Sequence, residues 1–259
     1  MAECGSRLTL AHGIILAVAG FLAGAVNSLA GGGSFISFPA LLAVGYPAVT
    51  ANMTNTIALW PGYVGATSAY RRELTGQRSR VIALGVTSLV GGTVGSVLML
   101  TTPGDVFKRV VPWLILLACI LFALQPLATS MLAKRDMQPS GHRSIGLHAA
   151  VLFAAVYGAY FGAGVGIVLL ALLGLTMTDS LQRLNGLKQI LVVLINTAAL
   201  VAYGVFGSVA WPAVGIMAVT SLVGGRAGGA YSRHLNPTLL RVLVLAFGIT
   251  VTCVLFARQ

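Results

Sequence analysis

The sequence predicts an all-α integral membrane protein made of two duplicated halves. Of its 259 residues, 57% are hydrophobic and only 8% are charged. Apolar runs near the ~20 residues that a helix needs to cross a bilayer recur along the whole length. The runs are continuous and do not alternate as membrane β-strands do, which indicates helices. Because two runs are interrupted by glycines, we expect eight long transmembrane helices plus two short broken helices.

The apolar segments divide the chain into a first repeat at 1–130, a polar cytoplasmic linker at 131–144 and a second repeat at 145–259, all in one membrane domain. The first repeat has apolar segments at 8–30, 35–46, 50–70, 81–100 and 107–130. The second has segments at 145–161 and 167–175, one that starts near Asp179 and ends near Val205, and two at 211–231 and 239–256. The second segment of each repeat is too short to cross a full bilayer as a straight helix.

Two sequence matches support the duplication. The sequence VTSLVGG at 86–92 recurs identically at 219–225, and CILFA at 119–123 is echoed by CVLFA at 253–257. The offsets are 133 and 134 residues, so both matches are consistent with one internal duplication.

The distribution of basic residues predicts the topology. With eight crossings, Lys and Arg divide nine to seven between the two sides, whereas with ten crossings they divide twelve to four. The positive-inside rule favours ten crossings, with both termini outside a cell membrane. Each half then crosses an odd number of times, which makes the halves inverted repeats, an architecture common in alternating-access transporters. The net charge of +11 follows from these loops, and no nucleic-acid partner is expected.

The two glycine breaks form the predicted substrate site, because paired broken segments are the best sequence pointer to such a site. A short helix that begins after the first break would direct free N–H groups toward it, which favours an anion. The alternative is that these small residues permit close helix packing, which we prefer for the glycines at 91, 92, 95, 224, 225, 228 and 229. The predicted site residues at the breaks are Asn27, Ser28, Gly31, Gly32, Gly33, Ser34, Gly162, Gly164 and Gly166.

Polar side chains follow each short segment. Uncharged groups there either line a site or bond to other helices, and we favour lining for Asn55, Asn185, Gln189 and Asn196. For Lys188, contact with substrate and snorkelling to the cytoplasmic surface are equally supported.

Arg226 lies in a glycine-rich segment, and for it we favour snorkelling.

The positions of the acidic residues and the absence of known catalytic motifs argue against several classes of function. All five acidic residues fall in termini or loops, which argues against a carboxylate proton relay or a cation site built on a buried carboxylate. The sequence contains no nucleophile elbow, zinc-protease motif or P-loop, and its cysteines lack metal-ligand spacing. We therefore expect neither an enzyme nor a cofactor.

Ordered motifs across nearly the whole chain resemble the TauE/SafE sulfite exporter family. They are the Gly-Gly-Gly-Ser break, FPAL at 38–41, Ala51-Asn52-x-Thr54-Asn55, Arg183-x-Asn185-x-x-Lys188, Asn196 and Gly207-x-x-Ala210-Trp211. The resemblance implies a plasma-membrane permease for sulfur-containing anions such as sulfite or small organosulfonates. Arg226 departs from the family pattern.

The expected function is alternating-access transport of a small sulfur-containing anion at a site between the two breaks. The alternatives are a passive anion channel, a carrier of another small anion, a cation carrier and, with least support, an integral membrane enzyme. Coupling to H⁺ or Na⁺ and assembly into a homodimer stay open.

Overall fold

The computed structural model describes residues 9–29, 31–133, 145–177, 179–231, 242, 245, 246 and 248–253. Within these ranges the chain forms nine helices and no strand, and the described residues from 242 to 253 are also helical. The helices are α1 (Leu10–Leu29), α2 (Ser34–Ala43), α3 (Ala48–Ala69), α4 (Arg78–Thr101), α5 (Gly104–Ala133), α6 (Ile145–Tyr160), α7 (Val165–Thr176), α8 (Leu181–Phe206) and α9 (Trp211–Tyr231).

The nine helices coincide with nine of the ten expected segments, with ends that differ by a few residues. The tenth expected segment and residues 134–144 of the expected linker fall largely outside the described residues. Four described helices are long and apolar enough to cross a membrane, namely α4, α8, α1 as far as Ser28 and α5 as far as Leu124.

One segment that we counted among the eight long transmembrane helices falls below the length of a full membrane span. Helix α6 has only 16 residues, about 24 Å of rise, because the chain breaks directly after Tyr160.

The outer surface of the described helices is apolar. On α4, the exposed side chains recur at helical spacing on one face, and α1 and α5 carry similar exposed faces. Such surfaces suit contact with lipid in a multi-pass membrane protein. The exposed apolar residues of α4 are Ile82, Val86, Leu89, Val90, Val94, Val97 and Leu98.

The main helix contacts join one half of the chain to the other. Helix α1 packs chiefly on α9, α3 on α9 and α8, and α4 on α6 and α8. The two halves make the same contacts if α1 is matched with α6, α3 with α8, and α4 with α9. The α1–α9 contact then corresponds to the α6–α4 contact, and the α3–α9 contact corresponds to the α8–α4 contact. The two halves therefore form a single interlocked bundle in the described part of the chain.

Helices α1 and α3 run in the same direction. Both lie parallel to α9, because residue numbers rise together along each pair of contacting helices. The contacting positions are Gly20 with Met217 and Gly24 with Ser221 for α1, and Ala58 with Ser221 and Gly62 with Gly225 for α3. Since α1 and α3 are parallel, the chain must travel back through α2 and the segments beside it.

Helices α6 and α8 are related in the same way, because both lie parallel to α4. The contacting positions are Thr87 with His148, Gly91 with Leu152 and Gly95 with Val156 for α6, and Gly85 with Leu194 and Gly92 with Ala198 for α8. Helices α3 and α8 are antiparallel, with contacts between Met53 and Gly207, Trp60 and Thr197, and Tyr70 and Gly186.

Glycines permit the close approach of α1 and α9. A Cβ on Gly224 would overlap the carbonyl oxygen of Phe21, and one on Gly24 would overlap that of Ser221. Small residues at helix interfaces are what allow membrane helices to pack at such short separations. The packing interpretation of the glycines at 91, 92, 95, 224, 225 and 228 is thus confirmed, while the side-chain position at 229 lies outside what the structure describes.

Candidate functional site

The two glycine breaks have the same backbone construction. Gly31 has φ +83° and Gly162 has φ +80°, a left-handed conformation that only glycine adopts without strain. The N–H of Gly31 donates to the Val26 carbonyl at 3.2 Å, and the N–H of Gly162 donates to the Tyr157 carbonyl at 3.4 Å, each five residues back. The hydrogen bonds that end α1 and α6 therefore have the same pattern at both breaks.

Each break leads directly into a short helix. Helix α2 begins at Ser34, one residue before the expected segment, and α7 begins at Val165, two residues before its expected segment. The N–H groups of Ile36 and Ile167 donate at 2.9 Å to the carbonyls of Gly33 and Gly164. Part of the donor capacity expected at these helix starts is therefore used inside the turn.

The two breaks touch each other. A Cβ built on Gly31 would lie 3.1 Å from the Cα of Gly166, and one built on Gly166 would lie 3.2 Å from the Cα of Gly31. Backbone from opposite halves therefore meets without an intervening side chain. We call this contact the glycine junction.

Lys188 lies beside the glycine junction. Its side chain is only 1% exposed, so it does not reach the surface, and the snorkelling alternative is wrong. Its Nζ donates to Asn185 Oδ1 at 3.1 Å, and its Cδ is 3.7 Å from where a Cβ on Gly166 would lie. An ammonium group has three N–H donors, so this bond leaves capacity for a further acceptor.

Asn27 contributes an unused donor next to the first break. Its Oδ1 accepts from the N–H of Gly33 at 2.7 Å, which fixes the amide, while its Nδ2 is buried and has no partner among the described atoms. The Nε2 of Gln189 donates to the carbonyl of Asn27 at 3.5 Å and to that of Ser28 at 3.4 Å. Gln189, the residue after Lys188, therefore joins α8 to the end of α1.

Asn55 of α3 contacts the short helix α2. Its Oδ1 accepts from the hydroxyl of Ser37 at 2.5 Å, and both side chains are buried. Asn52, one turn earlier on α3, donates through Nδ2 to the Tyr160 carbonyl at 2.9 Å, and its buried Oδ1 has no partner among the described atoms. The start of α3 thus binds both α2 and the end of α6.

Several expected site residues make other contacts. Asn196 donates to the Val192 carbonyl of its own helix at 2.9 Å, and the Ser28 hydroxyl donates to the Ala25 carbonyl at 2.7 Å. A Cβ on Gly32 would lie 3.1 Å from the Phe122 ring, and one on Gly164 would lie 3.7 Å from Ala118. The two polar side chains therefore bond within their own helices, and the two glycines pack against α5.

Two residues at this site were missed by sequence reasoning. Tyr63 of α3 is buried with its phenol close to the side chains of Ser34 and Asn27, and Ser37 binds Asn55. Tyr63 lies about three helical turns after Asn52, so both occupy one helix face, a spacing that could have revealed Tyr63.

An ionic cluster joins the two halves at one end of the bundle. Asp179 forms ion pairs with Arg80 and, at 3.1 Å, with Arg183. Partial burial alone would raise the pKa of Asp179, but hydrogen bonds from Arg80, the Ser180 N–H and Arg183 outweigh burial and hold the pKa below its usual value. The Nε2 of Gln77 adds a bond to the Arg183 carbonyl at 3.1 Å.

Arg226 is exposed, in agreement with the surface interpretation.

Among the residues described, no group of three His, Cys, Asp or Glu side chains is placed to hold a metal ion.

Known proteins match the chain along most of its length. The family model described as sulfite exporter TauE/SafE matches residues 16–255. The chain is 25% identical over 248 residues to the probable membrane transporter protein ORF9 of Sinorhizobium sp., covering 93% of this chain and 91% of that protein. It is 27% identical over 238 residues to the probable membrane transporter protein YfcA of Escherichia coli strain K12, covering 90% and 85%.

A probable membrane transporter protein of Haemophilus influenzae is 25% identical to the chain over 239 residues, covering 92% of each. No solved structure matches the chain significantly. The names of these relatives are those of membrane transporters.

Proposed function

The chain belongs to the sulfite exporter TauE/SafE family of membrane transporters, and we propose that it carries small sulfur-containing anions such as sulfite or organosulfonates by alternating access. The observation that carries this proposal is the buried ammonium of Lys188 beside the glycine junction. A buried cation in a membrane protein is a functional group by default, and its missing counter-charge is the substrate.

The groups around the junction suit an oxyanion. Lys188 has unused N–H donors, Asn27 holds an unpartnered Nδ2, and the Tyr63 phenol lies close by. Donors of this kind bind the oxygens of a sulfite or sulfonate group through charge-assisted hydrogen bonds. Glycines on both sides bring the two main chains into direct contact beside this group of donors.

We further propose that the halves are inverted repeats with ten crossings. The support is that α1 and α3 are parallel, that α6 and α8 are parallel, and that α3 is antiparallel to α8. Each short helix then completes a crossing. The Arg80–Asp179–Arg183 cluster places the segments before α4 and before α8 at one end, as ten crossings require and eight do not.

In this arrangement the basic end faces the cytoplasm of the cell membrane and the termini lie outside. Rocking of one half against the other about the glycine junction exposes the site to each side in turn. An inside-negative potential drives an anion outward, which suits export. Coupling to H⁺ or Na⁺ and a homodimeric state are compatible with this mechanism.

Transport by purified protein in proteoliposomes tests the proposal. The substrate panel is sulfite, thiosulfate, sulfate, sulfoacetate and taurine, each with and without ion gradients. We expect saturable counterflow of labelled sulfite or a sulfonate. Conductance at channel rates without counterflow contradicts a carrier and supports the passive anion channel.

Two variants connect transport to the site. Lys188→Gln should lower transport by about tenfold or more, equivalent to losing at least ~1.4 kcal/mol of binding. Arg226→Gln is the matched control, because it also removes a basic residue from a helix of the bundle but does so at an exposed position. Equal transport by both variants contradicts the assignment of Lys188.

A further inference from the structure

Lys188 and Asn55 occupy equivalent positions in the two halves. They are separated by 133 residues, the same offset that relates the identical sequences at 86 and 219. Both side chains are buried, with 1% exposure for Lys188 and 2% for Asn55. Each follows a short helix and lies against that helix, Asn55 through Ser37 of α2 and Lys188 along Gly166 of α7.

The duplicated site is therefore symmetric in position but not in charge. One half supplies an ammonium group and the other supplies a neutral amide. Within the described ranges, Lys188 is the only charged side chain that is buried, since the carboxylate of Asp179 and the guanidinium of Arg183 are both partly exposed. The site thus offers one full positive charge and several neutral donors.

From this asymmetry we infer that the site selects anions with a single negative charge and discriminates against dianions. The inference rests on the proposed function and names the substrate class of that same site. One ammonium neutralises one negative charge, and a second charge would remain uncompensated in a low-dielectric surrounding, where it is costly. The unpartnered Nδ2 of Asn27 stabilises the remaining oxygens as a neutral donor.

The substrates that meet this condition are organosulfonates without a second acidic group, such as methanesulfonate, and hydrogen sulfite. A sulfonate keeps one negative charge at any physiological pH. Sulfite has one charge only while it holds its last proton, so the transported form is hydrogen sulfite, which carries that proton across with it. Sulfate is a dianion throughout the same range and serves as the disfavoured anion of similar size.

Competition for uptake of a labelled organosulfonate in proteoliposomes tests this inference. The competitors are methanesulfonate, sulfate and total sulfite, each measured from below to above the second ionisation of sulfurous acid. We expect methanesulfonate to compete at least about tenfold better than sulfate. The apparent affinity for total sulfite should fall as the pH rises, after correction for any change seen with methanesulfonate, which controls for titration of the protein itself.

The outcomes separate the two proposals. If sulfate competes as well as methanesulfonate, or if sulfite binds better once deprotonated, the single-charge rule is wrong while anion transport stands. If none of these anions is transported or competes, the proposed function fails as well.

A designed variant tests the origin of the selectivity. Asn55→Lys places a second ammonium at the equivalent position, and we expect it to raise the competition by sulfate relative to methanesulfonate by about tenfold. Gly215→Ala, which alters an uncontacted site on α9, is the control for nonspecific effects. A folded Asn55→Lys protein that still rejects sulfate overturns the charge-counting argument, and the wild-type comparison decides the inference if this variant does not fold.

Discussion

Arg80, in the first turn of α4, forms an ion pair with Asp179, which lies just before α8 in the other half of the chain. Arg183 shares the same carboxylate, and its Nη1 donates to the Thr75 carbonyl at 3.3 Å. The pair therefore joins the two halves at the end of the bundle that we assign to the cytoplasm.

Removing this pair should destabilise the bundle. We expect Arg80→Gln to cost about 1–2 kcal/mol, because the carboxylate of Asp179 loses a charge-assisted hydrogen bond. Arg78→Gln removes an exposed positive charge two residues away and should change stability by less than ~0.5 kcal/mol. Thermal unfolding in detergent measures both variants, and equal melting temperatures would contradict the role of the pair.

The same carboxylate should make stability depend on acid pH. Because the pKa of Asp179 is lower in the folded protein than its usual value of 3.8, folding stabilises the ionised form. This contribution is complete above pH ~4 and is lost as the pH falls through the folded pKa. The destabilisation caused by Asp179→Asn should therefore shrink in melts below pH ~4. A destabilisation that stays constant to lower pH would show that the effect is not electrostatic.

The glycine junction should tolerate no side chain. Gly31→Ala and Gly76→Ala both place alanine at a positive φ, +83° and +79°, so both share a backbone cost of about 1–2 kcal/mol. Only Gly31 has Gly166 within contact distance of the new Cβ, whereas Gly76 has open space. We expect Gly31→Ala to reduce transport by about tenfold beyond any loss in Gly76→Ala. Equal initial rates in proteoliposomes would contradict this.

The interface between α1 and α9 should depend on Gly224. Gly224→Ala forces α9 away from the carbonyl of Phe21 and should lower stability by about 1–3 kcal/mol. Gly215→Ala lies on the same helix with open space around the new Cβ and should raise stability by up to ~1 kcal/mol, because alanine favours the helix. Thermal melts that move in the same direction for both variants would contradict the packing argument.

The phenol of Tyr63 should affect substrate affinity. Tyr63→Phe removes a hydroxyl that lies close to Ser34 and Asn27, and we expect KM for the transported anion to rise about fivefold, ~1 kcal/mol of lost hydrogen bonding. In the control Tyr203→Phe, the lost hydroxyl donates to the Ala159 carbonyl. That control should lower the melting temperature but leave KM within about twofold. A KM that is unchanged in Tyr63→Phe removes Tyr63 from the site.

Much of the helix layout could be predicted from sequence because it depends on local properties. The lengths of the apolar runs predicted the helices, and the clusters of glycines predicted the breaks at Gly31 and Gly162. Both bounds of α9 were also predicted, and the start of α2 was predicted to within one residue. The bounds of α6 were predicted to within one residue, but its 16 residues do not support counting it among the eight long helices.

The contacts across the bundle could not be predicted in the same way, because they depend on which helix faces meet. Hydropathy left the burial and snorkelling of Lys188 equally supported, and only the position of α7 beside α8 decides for burial. Likewise, nothing local to Asp179 indicates that Arg80, 99 residues earlier, would share its carboxylate. Asn196 was predicted to line the site, yet its side-chain amide donates to the Val192 carbonyl of its own helix.

The interlocking of the halves has a consequence for biosynthesis. Of the nine helices α1 to α9, α1 leaves the ribosome first, but its main packing partner α9 leaves last. Until α9 is inserted, the small-residue face of α1 around Gly20 and Gly24 meets lipid or a membrane chaperone instead of protein. The nascent chain must therefore remain beside the insertion machinery until α9 has been translated, and the bundle forms late.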